Sequence, residues 1–193
     1  MRDAHAFRGE QFFEDAMTDL RPGTMRAAER WIAVQRMVVG VWFAKSILTK
    51  LGFALVGGFL PLPVASARWQ GVMPKLIAKY ASDNPFPWYK SFLLDTVVPN
   101  SHVFATLTAL GEIGVGLSLL LGFVTPIGAF FGLIQVLFYG MAVQQQSSGQ
   151  QGFHVMLLIL MLTFLFTRAG RRWGIDAKLR ERWPNSRFVQ LFT

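Results

Sequence analysis

Between Glu112 and Arg168 the chain reads EIGVGLSLLLGFVTPIGAFFGLIQVLFYGMAVQQQSSGQQGFHVMLLILMLTFLFTR, and residues 113–167 include no Asp, Glu, Lys or Arg. A helix crosses a bilayer with about 20 apolar residues, so this stretch holds more than one crossing. Two breaks divide it. Gly122-Phe-Val-Thr125-Pro126 offers a glycine to end one helix, a threonine as N-cap and a proline for the first turn of the next. Gln144-Gln-Gln-Ser-Ser-Gly-Gln-Gln-Gly152 is polar and uncharged, which suits a short turn at a membrane surface. Residues 103–122, 126–145 and 153–169 are therefore expected to run up and down as antiparallel neighbours.

Upstream, residues 31–52 form one more apolar segment of spanning length. The reading is an all-α integral membrane protein: an antiparallel four-helix bundle with a cap of short amphipathic helices on its outer face. Composition agrees, with 52% hydrophobic and 16% charged residues against about 25% charged in a soluble domain. The expected divisions are an N-terminal arm over residues 1–30, a membrane domain over 31–170 with its outer loop at 61–101, and a tail over 171–193.

The chain has no cysteine, which excludes disulfides, thiolate nucleophiles and Cys-ligated clusters. The net charge of +8 does not point to nucleic acid. Its basic residues flank apolar segments, as the positive-inside rule requires, and no basic stripe interleaves with stacking aromatics. Residues 1–23 carry five acids and no apolar core, so they read as neither a secretory nor a transit signal. Phe12, Phe13, Met17 and Leu20 suggest a short amphipathic helix there. Five Lys or Arg precede Trp31 and seven follow from Arg168, against four between Pro61 and Ser101. Both termini are expected on the cytoplasmic side of a bacterial inner membrane.

Within the outer loop, Met73, Leu76, Ile77 and Tyr80 make an i, i+3, i+4, i+7 stripe, expected to lie on the membrane surface with Lys75 and Lys79 beside it. The run Asn84-Pro-Phe-Pro-Trp-Tyr89 stops that helix, and a second helical run is expected over residues 90–98. At the other end, Arg168, Arg171, Arg172 and Trp173 read as an interfacial anchor.

Charged residues inside a spanning helix cost about 2.5 to 3.5 kcal/mol each on insertion scales, so each one asks for a partner or a use. The first helix has Arg36, Lys45 and Lys50. Arg36, Gly40, Phe43, Ile47 and Lys50 share a sector of roughly 80°, with Lys45 nearly opposite. About 21 Å of rise separates Arg36 from Lys50, so both can snorkel toward headgroups. Lys45, nearer mid-depth, calls for a partner. Glu112 is sharper, because a short carboxylate at mid-helix cannot snorkel. It is either a buried ion pair fixing register, with Arg36 or Lys50 as partner, or a proton-exchanging carboxylate beside a bound ligand. Gly111, Gly114, Gly116 and the Gly128/Gly132 pair permit close helix packing or leave room for a flat ligand.

His102 and His154 fall near the outer side of this topology. They are either capping groups or part of a polar patch with Lys50 that receives an anion or a quinone headgroup. Haem fits poorly, since axial ligands sit deeper and CxxCH is missing. No HExxH, GxSxG or phosphate-binding loop is present, so neither a metal nor a nucleotide is expected.

Several of these motifs, in order, resemble the DoxX/DoxD family of small four-helix membrane proteins. They are Arg36-x3-Gly40 followed by Lys50; Gly111-Glu112-Ile-Gly114-Val-Gly116 running through Gly122 to Thr125-Pro126; and Arg168-Ala-Gly170-Arg171-Arg-Trp-Gly174-Ile-Asp176. Residues 84–100 resemble the DoxD branch, and the likeness covers residues 31–177. The resemblance implies kinship with the membrane subunit of thiosulfate:quinone oxidoreductase. It implies a quinone as mobile partner, with no covalently bound cofactor. Glu112, Arg36, Lys50 and Asp176 carry over as motif positions. Asp176 is expected to pair with Arg171 or Arg172, or to cap the tail helix. The two functional expectations are a quinone-linked redox subunit and a non-catalytic accessory subunit of a larger membrane complex. The expected partners are lipid, other membrane subunits or further copies of the chain.

Overall fold

The computed structural model describes residues 22–193, so the run at Phe12, Phe13, Met17 and Leu20 lies outside the described residues. In chain order the elements are α1 (Pro22–Ala44), α2 (Ser46–Thr49), β1 (Leu51–Val56), β2 (Leu60–Ala65), α3 (Ala67–Ser82), α4 (Pro87–Ser91), a π-helical turn (Phe92–Val97), α5 (Ser101–Leu121), α6 (Thr125–Ala142), α7 (Ser148–Thr167), a 3-10 turn (Ala169–Arg171), α8 (Ile175–Arg182) and α9 (Arg187–Phe192). Among the described residues, four helices are long and apolar enough to cross a membrane: the α1–α2 rod from Gly23 to Thr49, then α5, α6 and α7. Large apolar side chains such as Val38, Val41, Leu48, Phe131, Ile159 and Phe166 stand exposed on their outer surfaces. The protein is an all-α, multi-pass membrane bundle.

Glycine sets the distance between α1 and α5. A Cβ at Gly40 would stand 2.7 Å from Leu120 Cα, and one at Gly116 would stand 2.7 Å from Ala44 Cα. The two backbones therefore touch at two points one helical turn apart, which is how helices associate where hydrophobic drive is weak. The basic stripe of the first helix is only partly preserved. Arg36, Gly40 and Phe43 are buried, but the helix breaks at Lys45, so Ser46 turns inward and Ile47 outward.

Arg36 and Asp176 tie the end of the bundle that holds α8 and α9. The buried Arg36 guanidinium donates to Leu119 O, to Leu120 O at 3.4 Å and to Trp173 O at 3.4 Å. A cation thus meets the carbonyls that α5 leaves unpaired at its C-terminus. Gly122 ends α5 in the left-handed conformation with φ +64°. The expected Thr125 cap is replaced: Val124 occupies the N-cap with φ 43° and no side-chain bond of its own, and Thr125 begins α6. Asp176 corrects its expected role as well. Its buried carboxylate neither pairs with Arg171 or Arg172 nor caps the tail helix; it accepts from Val124 N at 2.7 Å and Thr125 N at 2.9 Å. A left-handed valine costs on the order of 1 to 3 kcal/mol, and this long-range cap holds it in place. Arg168 and Arg171 reach back to Thr193 O at 3.1 and 2.9 Å, holding α9.

At the opposite end, a β-hairpin that the sequence reading does not anticipate joins the first crossing to the cap helices. β1 and β2 pair antiparallel from Leu51↔Ala65 to Val56↔Leu60, turning at Gly57 and Gly58. Pro61 and Pro63 share one parity on β2 and cannot donate to the ladder, so their edge faces away from β1. Ala65, of that same parity, donates its N–H to Thr106 Oγ1 of α5 at 3.4 Å. α3 then lays Met73 and the half-buried Leu76, Ile77 and Tyr80 against the bundle. Asn84 Nδ2 donates to Met141 O at 2.8 Å, and Tyr89 OH to Phe138 O at 2.7 Å, securing the cap to the end of α6. Burial pushes the Tyr89 phenol up to about 12.

Two expected outcomes follow for thermal unfolding in detergent. Gly116→Ala lowers Tm, the clash costing about 1 to 3 kcal/mol; Gly114→Ala, where a Cβ meets nothing within 4 Å, leaves Tm unchanged or higher. Asp176→Ala leaves the buried Thr125 N–H and the part-buried Val124 N–H unpaired and costs about 1 to 3 kcal/mol, with Asp176→Asn intermediate.

Candidate functional site

The buried face of α5 carries two apolar cores and one charge. Ala105 and Ala109 belong to the cap core with Met73, Tyr89 and Leu93, while Val115 and Leu119 belong to the bundle core with Phe43, Met161 and Phe164. Glu112 lies between them, twelfth in a helix of 21 residues.

Three elements converge on its carboxylate. From the end of the α1–α2 rod, Lys50 Nζ lies 2.7 Å from both Oε1 and Oε2, and Ser46 Oγ donates to Oε2. From α6, Tyr139 OH donates to Oε1 at 2.8 Å. The break at Lys45 turns Ser46 toward α5, and the rod ends at Thr49, from where Lys50 reaches the carboxylate. Side-chain exposure is 19% for Lys50 and 8% for Glu112, so the pair is largely out of solvent. Lys50 Nζ also stands 4.2 Å from the centre of the Trp69 ring, and Trp69 Nε1 donates to Thr108 Oγ1 at 3.3 Å. The lysine is thus held by a carboxylate and an aromatic face together.

A crevice of about 230 Å³ opens beside the pair, bounded by Trp42, Lys45, Lys50, Glu112, Tyr139 and His154. Lys45 finds the partner its depth required: its Nζ sits 3.2 Å over the Trp42 ring centroid. His154 Nδ1 lies 2.8 Å from Gln150 O. A carbonyl only accepts, so Nδ1 carries a proton there, and Nε2 of the neutral ring is an acceptor. A second cavity, about 210 Å³, continues from Lys50, Tyr139 and His154 toward Trp69, Leu76 and Ile77 under the cap helix.

Among the residues singled out from the sequence, Glu112, Lys50 and His154 meet here. Arg36 does not, being committed to main-chain carbonyls at the other end of α5. His102 is exposed, and its Nδ1 lies 2.8 Å from Gln70 Oε1. Sequence reading missed Ser46, Tyr139 and Trp69. A tyrosine four residues after Gln135 on an otherwise apolar helix was the available signal for Tyr139, whereas Ser46 carries none. Among the described residues, no group of three or more His, Cys, Asp or Glu side chains could hold a metal ion.

The family model described as "TQO small subunit DoxD" matches residues 31–192. The chain belongs to the DoxD family. No curated protein and no solved structure matches it. The motif positions of this DoxD chain divide into two groups in space. Arg36, Gly122, Gly174 and Asp176 form the tie at one end of α5, where a Cβ on Gly122 would stand 2.6 Å from Gly174 Cα. Lys50 and Glu112 form the polar seam at mid-depth.

Removing one partner of a buried pair strands the other charge. Lys50→Met and Glu112→Leu are each expected to destabilise the protein by about 3 to 5 kcal/mol, while the two combined recover most of that loss. Thermal unfolding of the three variants in lipid discs measures this double-mutant cycle.

Proposed function

We propose that this DoxD protein is a quinone-linked redox subunit of the bacterial cytoplasmic membrane, with both termini cytoplasmic, in which Glu112 and its partners exchange protons with a bound quinone. One observation carries the reading: a carboxylate at mid-depth, gripped by Lys50, Ser46 and Tyr139, borders a crevice that His154 also lines. A quinone needs hydrogen-bond donors for its carbonyls and a proton source reachable from the membrane interior. The Lys50 ammonium, with a third N–H beyond the two carboxylate oxygens it faces, is a donor of that kind, and Glu112 with Tyr139 lies beside it.

The family description supplies the chemistry to test. Two thiosulfates join through a new S–S bond to give tetrathionate and two electrons; a quinone takes those electrons and two protons to become a quinol. No protein thiol is required. The Tyr139–Glu112–Lys50 chain would deliver the protons. Lys75 and Lys79, exposed on α3, would attract the dianion from the cap side. Lys50 is tied to Glu112 and serves the quinone side instead.

A second reading has its own support. Glu112 is so fully hydrogen-bonded that it also suits a register pin in an accessory subunit of a larger complex.

Thiosulfate-dependent reduction of decylubiquinone by the protein in lipid discs, with any copurifying subunit retained, separates the two. On the redox reading, Glu112→Gln lowers the rate by about 10² or more, and Tyr139→Phe lowers it while leaving Tm near that of the parent. A fixed stoichiometric complex whose turnover is indifferent to both substitutions supports the accessory role.

A further inference from the structure

α7 ends at Thr167, and Arg168, Arg171 and Arg172 follow through the tight turn after it. That turn is anchored: Ala169 and Gly170 are buried, and a Cβ on Gly170 would overlap the carboxylate of Asp176. Beside the turn lies a cavity of about 270 Å³, bordered by all three arginines, by Glu29 and Ile32 of α1 and by Thr167. Its wall is more polar than apolar.

The arginine donors are only partly used. Arg168 donates through Nη1 to Gln190 O and Thr193 O, and Arg171 through Nε and Nη2 to Thr193 O. Arg168 Nε and Nη2 have no partner among the described residues, and Arg172 makes no hydrogen bond there at all. Of these nitrogens only Arg172 Nε is sealed off; the others keep accessible surface. The ion pair among the described residues joins Lys50 to Glu112, so no Asp or Glu carboxylate there lies within ion-pair distance of the three arginines. Burial, and then the like charges of Arg180 and Arg168, push the Arg171 guanidinium below its ordinary pKa, with Asp176 opposing them. Unspent donors thus face a cavity in a positive field that the neighbouring side chains do not neutralise.

A guanidinium presents its N–H groups in a planar fork that matches the oxygens of a phosphate. Membranes supply that group on lipids, and basic pockets between spanning helices take such headgroups. The flanks of the cavity suit a lipid. Trp31 and Phe166, next to Ile32 and Thr167, are 69% and 79% exposed, and Val38 on α1 and Leu162 on α7 continue the exposed apolar surface along the bundle. Trp173, next to Arg172, is also exposed, as an indole at the headgroup level is.

We propose that this cavity binds the phosphate of an anionic phospholipid, with Arg168 and Arg172 donating to the phosphate oxygens and the acyl chains lying along α1 and α7. Glu29, exposed on the rim, accepts from a headgroup hydroxyl of the kind phosphatidylglycerol carries. The interfacial anchor expected from this arginine cluster becomes a stoichiometric site, one lipid in one place, in contrast to a diffuse attraction to headgroups. It shares no residue with the Glu112 seam and stands independently of the redox reading.

Thermal unfolding of the full chain in neutral detergent, titrated with phosphatidylglycerol or phosphatidylcholine, tests this, with native mass spectrometry counting retained lipids. Phosphatidylglycerol is expected to raise Tm saturably with one lipid retained, and phosphatidylcholine to bind more weakly. Arg172→Gln gives up no hydrogen bond within the described residues, so its lipid-free Tm is expected to stay near that of the parent. Its affinity for phosphatidylglycerol is expected to fall roughly ten-fold or more, as the loss of a hydrogen bond to a charged group implies. Thr167→Trp, which fills the cavity and keeps every charge, is expected to weaken binding as well. Arg182→Gln, outside the cavity, removes the same charge and is expected to leave the affinity unchanged. Equal losses in Arg172→Gln and Arg182→Gln would mean diffuse attraction and overturn the proposal. Inorganic phosphate that raises Tm as far as the lipid does would make this a site for a free oxyanion, and the lipid assignment would fall.

Discussion

Glu112 is a charge in a place where charge is expensive, and the middle of the protein is arranged around that cost. Continuum reasoning puts the penalty for an uncompensated buried ion at several kcal/mol, more than any single packing contact in a domain of this size returns. Lys50 cancels it with one Nζ placed evenly between the two carboxylate oxygens, and Ser46 and Tyr139 occupy further lone pairs. These partners come from the α1–α2 rod and from α6. The carboxylate therefore joins three of the four spanning segments at one point, where the bundle core and the cap core meet. A polar junction of this kind fixes register, and the same proximity of acid, phenol and amine is what proton exchange requires.

The opposite end of α5 is organised by a different rule. Helix termini present unpaired carbonyls and N–H groups, and near a membrane those groups need partners within the protein. Arg36 supplies donors to the carbonyls that end α5, and Asp176 supplies acceptors to the N–H groups that begin α6. Each side chain reaches across a long sequence separation to complete a helix that it does not belong to. Trp173 O, bonded to Arg36, and Gly122 O, which accepts from Asp176 N at 2.8 Å, close the arrangement through the main chain. The motif that gave the family resemblance is thus half architecture and half polar seam.

The hairpin shows where local sequence logic fell short. Residues 51–65 are apolar throughout, so neither a helical nor an alternating period separates core from surface, and the sequence reading ends a crossing at 52 and begins the outer loop at 61 with no strand between. The Gly57-Gly58 pair and the two prolines at alternate positions were the available turn and edge signals. They are legible only once the rod is known to end at Thr49.

Several features follow from composition and spacing alone: the bilayer as solvent, the four crossings, the tight α5–α6 and α6–α7 turns, and the need for Glu112 to have a partner. Long uncharged stretches and the price of stray charges leave little freedom on those points. The choice of partner is another matter. Arg36 and Lys50 share a helical face and looked equivalent, yet the break at Lys45 and the close approach at Gly40 and Gly116 send one to main-chain carbonyls and the other to the carboxylate. Depth, rotation and kink are collective properties of packed helices, so the contributions of Ser46 and Tyr139, and Asp176's duty as a distant cap, emerge only when the helices are set against one another.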